Sequence, residues 1–428
     1  MPREAPVART CQGLALSAAL LSCAPAWSAP PPTIRAPHLT PAISTPEAGL
    51  WDQSDRAEHY VKTSADLDGD AQLTAWVRAT VCKIAPEYCD DLRVYVLDRP
   101  VLNASAAPNG YIEVNSGLLL RAQTEDELAY VLGHEVSHFS RNHSLERWQA
   151  AKDTANTMLV LQIGVSAVAA GAQYSAASGG GPNAQGNINS ISQAAQSLNS
   201  LIYLGGVAAF FAYNREQETE ADRLGFGRAT IAGYSPRAGA SMWNAVIAET
   251  AASDFASIRK SEGRASMFNT HPVTAARVVA LQDLAGKASA QTNESAGHTY
   301  RARIHAHLSE WLKDDLRRRD YGQSLHIIDR LEALGEDMGL LEFYRGEALR
   351  QRRQEGDAPL ALKAYRAAVA APDVPVQAWR ELAEASRKAG DKAGARAAFE
   401  TYLAKAPQAQ DRWLVEAGLK SLQPAGTP

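Results

Sequence analysis

The sequence lacks the charge surplus of a polyanion-binding protein. Its 43 Lys+Arg against 47 Asp+Glu leave a formal net charge of -4 over 428 residues, so bulk electrostatics give nucleic-acid binding no support. It also lacks a clean bilayer-spanning run. Leu14–Leu21 is too short, and the apolar stretch 154–178 is broken by Gln162 and Gln173. Cysteine is scarce. Cys11 and Cys23 fall in an N-terminal segment with export character, which leaves Cys82 and Cys89 in VCKIAPEYC. Six intervening residues exclude the thiol-redox motif, and no second ligand pair flanks them to build a zinc site. In an exported protein the expectation is a local disulfide.

What is present divides the chain. Its length calls for two or three domains. Residues 1–29 read as a signal peptide: Arg3 and Arg9, then Leu14–Leu21, then Ala24-Pro25-Ala26 as a cleavage site. A lipoprotein signal is the rival, because Leu20-Leu21-Ser22-Cys23 resembles a lipobox and would anchor lipid on Cys23. Residues 30–49, rich in Pro, Ala and Thr, read as an extended linker. From Leu50 to about Cys89 the apolar spacing is helical, and Asp66-Leu67-Asp68-Gly69-Asp70 reads as a turn and helix start rather than a calcium loop. LRVYVL (92–97) and YIEV (111–114) read as strands. Thr124 with Glu127 forms a capping-box signal for the next helix. The segments 154–178 and 199–213 read as buried or interfacial helices, with peripheral membrane contact as a variant, separated by a Gly/Asn/Ser/Gln-rich loop.

After about residue 300 the chain has no β signal and a repeat is visible. Ala361, Tyr365 and Ala368 recur as Ala395, Phe399 and Tyr402, each 34 residues on, and Ser324, Ile328 and Leu331 fill the same roles in an earlier copy. With Trp379, Leu382, Ala383 and Pro407, this resembles about three tetratricopeptide helix pairs closed by a helix near 412–422.

The chemistry lies in VLGHEVSHFSRNH. His134 and His138 are four apart on a helix, so both imidazoles share a face one turn apart and can share a metal, with Glu135 beside the adjoining water position. A catalytic zinc takes three protein ligands. Downstream, NREQETEADRLG offers Glu218 as the third and Asp222 as an acceptor for the outer N–H of a ligand histidine. Glu216 and Glu220 are rivals that spacing does not separate. His143, five residues past His138 and off that face, reads as structural rather than ligating.

HEVSH followed about 80 residues later by ETEAD resembles the gluzincin peptidases that include the CAAX-prenyl protease and HtpX. LNASAAPNGYIEVNSGLL and Asn269-Thr270-His271-Pro272, with Arg277 beyond, resemble further segments of that family. The resemblance implies that Glu218 is the ligand and Asp222 its companion. A signal peptide plus a repeat tail narrows it to the BepA type, periplasmic proteases of Gram-negative bacteria. The implied fold is mainly α (α+β): a zincin-like helical peptidase domain with a small sheet over 50–290, then an α-solenoid of tetratricopeptide repeats over 300–422. The implied cofactor is one zinc ion, held by His134, His138 and Glu218, with Glu135 as general base. His271 is the candidate either to stabilise the oxyanion, with Arg277 behind it, or to cap the zinc at rest. An extended substrate would add to the strand at Tyr111–Val114. The implied clients are unfolded or misassembled outer-membrane proteins, and the implied partner of the repeats is the outer-membrane assembly machinery. The alternative is a chaperone or scaffold with little proteolysis.

Overall fold

The computed structural model describes residues 34–153, 213–260, 271, 273–288 and 296–423. The expected signal peptide with Cys23, the two apolar segments up to residue 212, and Asn269, Thr270 and Pro272 lie outside the described residues. Among the described residues no helix is long and apolar enough to cross a membrane.

The chain is mainly helical. Helix α1 (Pro46–Lys62) starts on the Thr45 cap, and α2 (Ala71–Ile84) starts where the Asp70 side chain accepts from the N–H groups of Gln72 and Leu73. Asp70 is thus the helix start that its sequence implied. Within the stretch expected as linker, 30–49, residues 36–45 carry no helix or strand and are mostly exposed, but Arg35 and residues 46–49 are not free chain. Residues 46–49 open α1, and Arg35 is buried, its N–H donating to the Ser140 carbonyl at 2.7 Å while its own carbonyl accepts from Tyr88 Oη at 2.6 Å. Composition suggested free chain; the Arg35 guanidinium over Trp51 and Phe139 provides a reason to pack. Cys82 and Cys89 are joined by a disulfide.

Three strands follow: β1 (Arg93–Leu97), β2 (Ala104–Ala106) and β3 (Tyr111–Asn115), in the order β1-β3-β2. β1 runs parallel to β3 and β2 antiparallel to it. Both sides of β3 are therefore taken, and the expected substrate addition at Tyr111–Val114 is excluded. The edge strand beside the site is β2, a three-residue Ala-Ser-Ala segment with no β-branched side chain to announce it.

β3 passes directly into α3 (Ser116–Arg121), and α4 (Glu125–Ser140) follows. Thr124 caps α4 as expected, accepting from Glu127 N–H at 3.2 Å, but Glu127 reaches back to Gln123 N–H at 2.8 Å instead of closing the box on Thr124. Then come α5 (Arg215–Ile231), α6 (Ala238–Ala252) and α7 (Ala275–Gly286). The helices α4 and α5 cross at two glycines. A Cβ built on Gly225 would stand 2.7 Å from His134 N, and one built on Gly133 would stand 3.1 Å from Gly225 O. That closeness brings two polar helices to the same point.

The C-terminal part is helical throughout: α8 (Ala296–Arg317), α9 (Tyr321–Glu332), α10 (Met338–Arg352), α11 (Asp357–Ala370), α12 (Gln377–Lys388), α13 (Lys392–Lys405) and α14 (Arg412–Ser421). The hydrophobic packing does not break at 290–300. One core runs from Leu73 to Ala348 and includes Tyr300, Ile304 and Trp311, and a second runs from Leu349 to Leu422. Arg121 is fully buried between Glu249 (2.9 Å) and Asp315 (2.7 Å), tying α3, α6 and α8 together. A buried charge left unpaired costs several kcal/mol, so this contact holds only as a complete set.

Candidate metal centre

α4 presents His134 and His138 on one face, as the four-residue spacing requires. α5 starts on a capping box in which the Asn214 side chain accepts from Gln217 N–H at 2.9 Å and the Gln217 side chain accepts from Asn214 N–H at 3.2 Å. Its buried positions are Gln217, Glu218, Ala221, Asp222, Gly225 and Ala229. This stripe turns Glu218 and Asp222 onto α4. Of the rival glutamates it brings Glu218 to the histidines, while Glu216 is exposed and Glu220 turns away to Arg141 and His143.

One donor atom from each of His134, His138, Glu218 and His271 falls in a group no wider than 4.8 Å, and all four residues are buried. His134 Nε2 is 3.0 Å from His138 Nε2 and 3.3 Å from His271 Nδ1. Glu218 Oε1 is 2.8 Å from His271 Nδ1 and 3.5 Å from His138 Nε2. A tetrahedron with arms of about 2.0–2.1 Å has edges of about 3.4 Å, so these spacings and this nitrogen–oxygen donor set fit a zinc ion. With their hydrogens on Nδ1, toward Asp222 at 3.0 Å and His143 at 2.9 Å, the His134 and His138 nitrogens that face one another across 3.0 Å both present lone pairs to a metal.

Glu135 is buried beside the group. Its Oε1 lies 3.6 Å from His271 Nε2, and among the described residues its Oε2 has no hydrogen-bond partner. Burial pushes its carboxyl above the usual carboxylate range. Burial, followed by the neighbouring imidazoles, holds His138 well below an ordinary imidazole, and so neutral. Burial also pushes Glu218 up, but His271, His134 and Arg277 outweigh it and keep the carboxylate ionised.

The charge behind the donors is organised by Asp222. It accepts from Arg277 Nε at 2.6 Å, Tyr130 Oη at 2.6 Å and Trp243 Nε1 at 3.3 Å, and stands 3.0 Å from His134 Nδ1. Arg277 Nη1 is 2.6 Å from Glu218 Oε2. Arg277 therefore bridges both carboxylates of α5 instead of standing free behind His271.

With that geometry in place, the comparisons with known proteins carry a specific meaning. The model of peptidase family M48 matches residues 70–285, half of the chain. The chain belongs to peptidase family M48. As an M48 metallopeptidase it takes zinc, which the donor set fits. Among curated relatives it is similar to the metalloprotease LoiP of Escherichia coli (32% identity over 184 residues, 42% of this chain and 58% of LoiP). It is also similar to the beta-barrel assembly-enhancing protease of Escherichia coli (21% over 295 residues, 64% of this chain and 55% of that protein). A third relative is human mitochondrial metalloendopeptidase OMA1 (28% over 89 residues, 21% of this chain and 14% of OMA1). The matched region thus spans between 14% and 58% of the length of these curated relatives.

Four residues of the M48 site were not assigned to it by sequence reasoning. Tyr130 and Trp243 reach Asp222. Tyr213 stacks on His138 with centroids 3.7 Å apart and planes at 14°. His143 Nδ1 stands 2.9 Å from His138 Nδ1. The aromatic residues carry no spacing signal. His143 was hidden because α4 ends at Ser140 and Asn142 takes a left-handed turn (φ 56), which swings His143 back beneath His138.

Proposed function

We propose that this chain is an exported zinc endopeptidase that cuts unfolded or misassembled outer-membrane proteins in the periplasm. The observation that carries the catalytic half is the convergence of His134, His138 and Glu218 on one point with Glu135 beside it. The zinc would be held by those three side chains. When bound, it supplies Lewis acidity to the scissile carbonyl and brings the pKa of a water toward about 7. Glu135 takes up the proton that this water loses and hands it to the leaving amine. Asp222 holds the His134 proton on Nδ1, leaving Nε2 for the metal.

His271 has two candidate roles, and its position favours the second. Its Nδ1 lies inside the donor group, 2.8 Å from Glu218 Oε1. In this reading His271 is a fourth donor at rest and withdraws when substrate arrives. Substrate then lies along the edge strand β2, where the Ala106 backbone N–H already faces Glu135, and binds by main-chain hydrogen bonds that suit unfolded chains.

The client assignment rests on the export signal and on the likeness to the beta-barrel assembly-enhancing protease. The tail is read as tetratricopeptide repeats that contact the outer-membrane assembly machinery. The burial of Ala361, Tyr365 and Ala368 together with their counterparts Ala395, Phe399 and Tyr402 supports that reading. Peripheral membrane contact and a lipid on Cys23 belong to the same proposal.

The test is cleavage of an outer-membrane β-barrel protein presented to the zinc-loaded full chain, once urea-unfolded and once folded in detergent. Selective cleavage of the unfolded form is expected. Equal cleavage of both forms, or of neither, contradicts the proposal.

A further inference from the structure

A buried ligand histidine is held by whatever accepts the proton on its second ring nitrogen. The two histidines of α4 are held differently. His134 Nδ1 faces a carboxylate, Asp222 Oδ1, at 3.0 Å. His138 Nδ1 faces another imidazole, His143 Nδ1, at 2.9 Å, and both rings are buried.

Two imidazole nitrogens at that distance hold one hydrogen between them: one donates and the other accepts. If His138 gives Nε2 to the metal, its hydrogen sits on Nδ1. His143 must then accept on a bare Nδ1 and carry its own hydrogen on Nε2. That hydrogen points to Glu220 Oε2, 3.2 Å away, and Glu220 Oε1 is anchored by Arg141 Nη2 at 2.5 Å. The donors run one way, from the metal position out to a partly exposed carboxylate. Tyr213, stacked on the His138 ring and fixed through its hydroxyl to Ser144 Oγ at 2.8 Å, keeps that ring from turning.

We propose that His143 is a positioning residue of the zinc centre: it fixes His138 as the Nδ1–H tautomer, and Glu220 fixes His143 in turn. The inference rests on His138 being a zinc ligand. It predicts different fates for two conservative variants. In His143→Asn the side-chain oxygen lies near the old Nδ1 and can accept from His138. In His143→Gln the amide reaches the old Nε2 position, keeps Glu220, and leaves the His138 N–H buried without an acceptor.

The experiment is zinc affinity of the full chain, measured by competition with a chelator, for wild type, His143→Ala, His143→Asn, His143→Gln and His138→Ala. Removing such a partner costs about 10–100-fold in metal affinity. The Ala and Gln variants are expected to lose that much, with Asn within about threefold of wild type. Imaging the wild-type rings by nitrogen NMR of the zinc-loaded chain is expected to show His138 protonated on Nδ1, a readout that needs no variant to fold. The inference is overturned if His143→Ala binds zinc within about threefold of wild type, if Gln rescues and Asn does not, or if the His138 Nδ1 resonance lacks a proton. Undiminished zinc binding by His138→Ala would instead sink the ligand assignment itself, so the two failures are distinct.

Discussion

Gly133 and Gly225 meet backbone to backbone where α4 crosses α5, and His134 and Glu218 converge because of it. A side chain at either glycine has nowhere to go but into the other helix: a Cβ on Gly225 would stand 2.7 Å from His134 N. Gly225→Ala is therefore expected to force the helices apart. The expected cost is about 1–3 kcal/mol of stability, measured by denaturant unfolding, together with weaker zinc binding. Unchanged stability and zinc affinity would mean that the crossing does not set the site.

Glu135 and the donor group are separable by substitution. Glu135→Gln keeps the shape and removes the base, so peptide cleavage is expected to fall at least about a hundredfold while a full equivalent of zinc is retained. Zinc content and cleavage are measured on the same sample. Cleavage at the wild-type rate would remove Glu135 from the mechanism.

His271 divides its two roles by the sign of one effect. As a resting fourth donor, its removal in His271→Ala frees a coordination position and is expected to raise cleavage of an unfolded substrate. As an oxyanion stabiliser, its removal would lower the rate by about a hundredfold or more. The initial rate at saturating substrate decides between them.

Glu58 sets an acid limit to stability. Burial pushes its carboxyl up, but hydrogen bonds from Arg93, Tyr95 and Lys62 outweigh it and bring it down to about 2 from 4.5. Because the folded value lies below the unfolded one, the stabilisation is complete above pH 4.5 and is lost as pH falls toward about 2. Glu58 ties α1 to β1 through Arg93 Nε at 2.7 Å and Tyr95 Oη at 2.7 Å. Glu58→Gln is expected to cost roughly 2 kcal/mol at pH 7 and almost nothing at pH 2, measured by unfolding at both values. A difference that does not shrink with acid would contradict this.

Much of the site was legible because helical spacing is a local rule. The four-residue steps of His134 to His138 and Glu218 to Asp222 place each pair on one face, and the Thr124 and Asp70 caps mark where helices start. Local rules stopped at the choice among Glu216, Glu218 and Glu220. The buried stripe of Gln217, Glu218, Ala221, Asp222, Gly225 and Ala229 makes that choice, and small residues at Ala221, Gly225 and Ala229 were the available hint of a close helix crossing. The centrality of β3 was not legible, because the strand on its second side, Ala104–Ala106, is too short and too poor in β-formers to be read. His143 lies off the metal face only of a helix that continues past Ser140. The chain leaves the helix at Arg141, and no spacing rule extends across a left-handed Asn142.

Anomalous diffraction at the zinc edge, from crystals of the zinc-loaded chain, tests the metal centre most directly. A single strong peak about 2.0–2.1 Å from His134 Nε2, His138 Nε2 and a Glu218 carboxylate oxygen is expected. A peak coordinated elsewhere, or side chains of these three residues that do not share one ion, would contradict it.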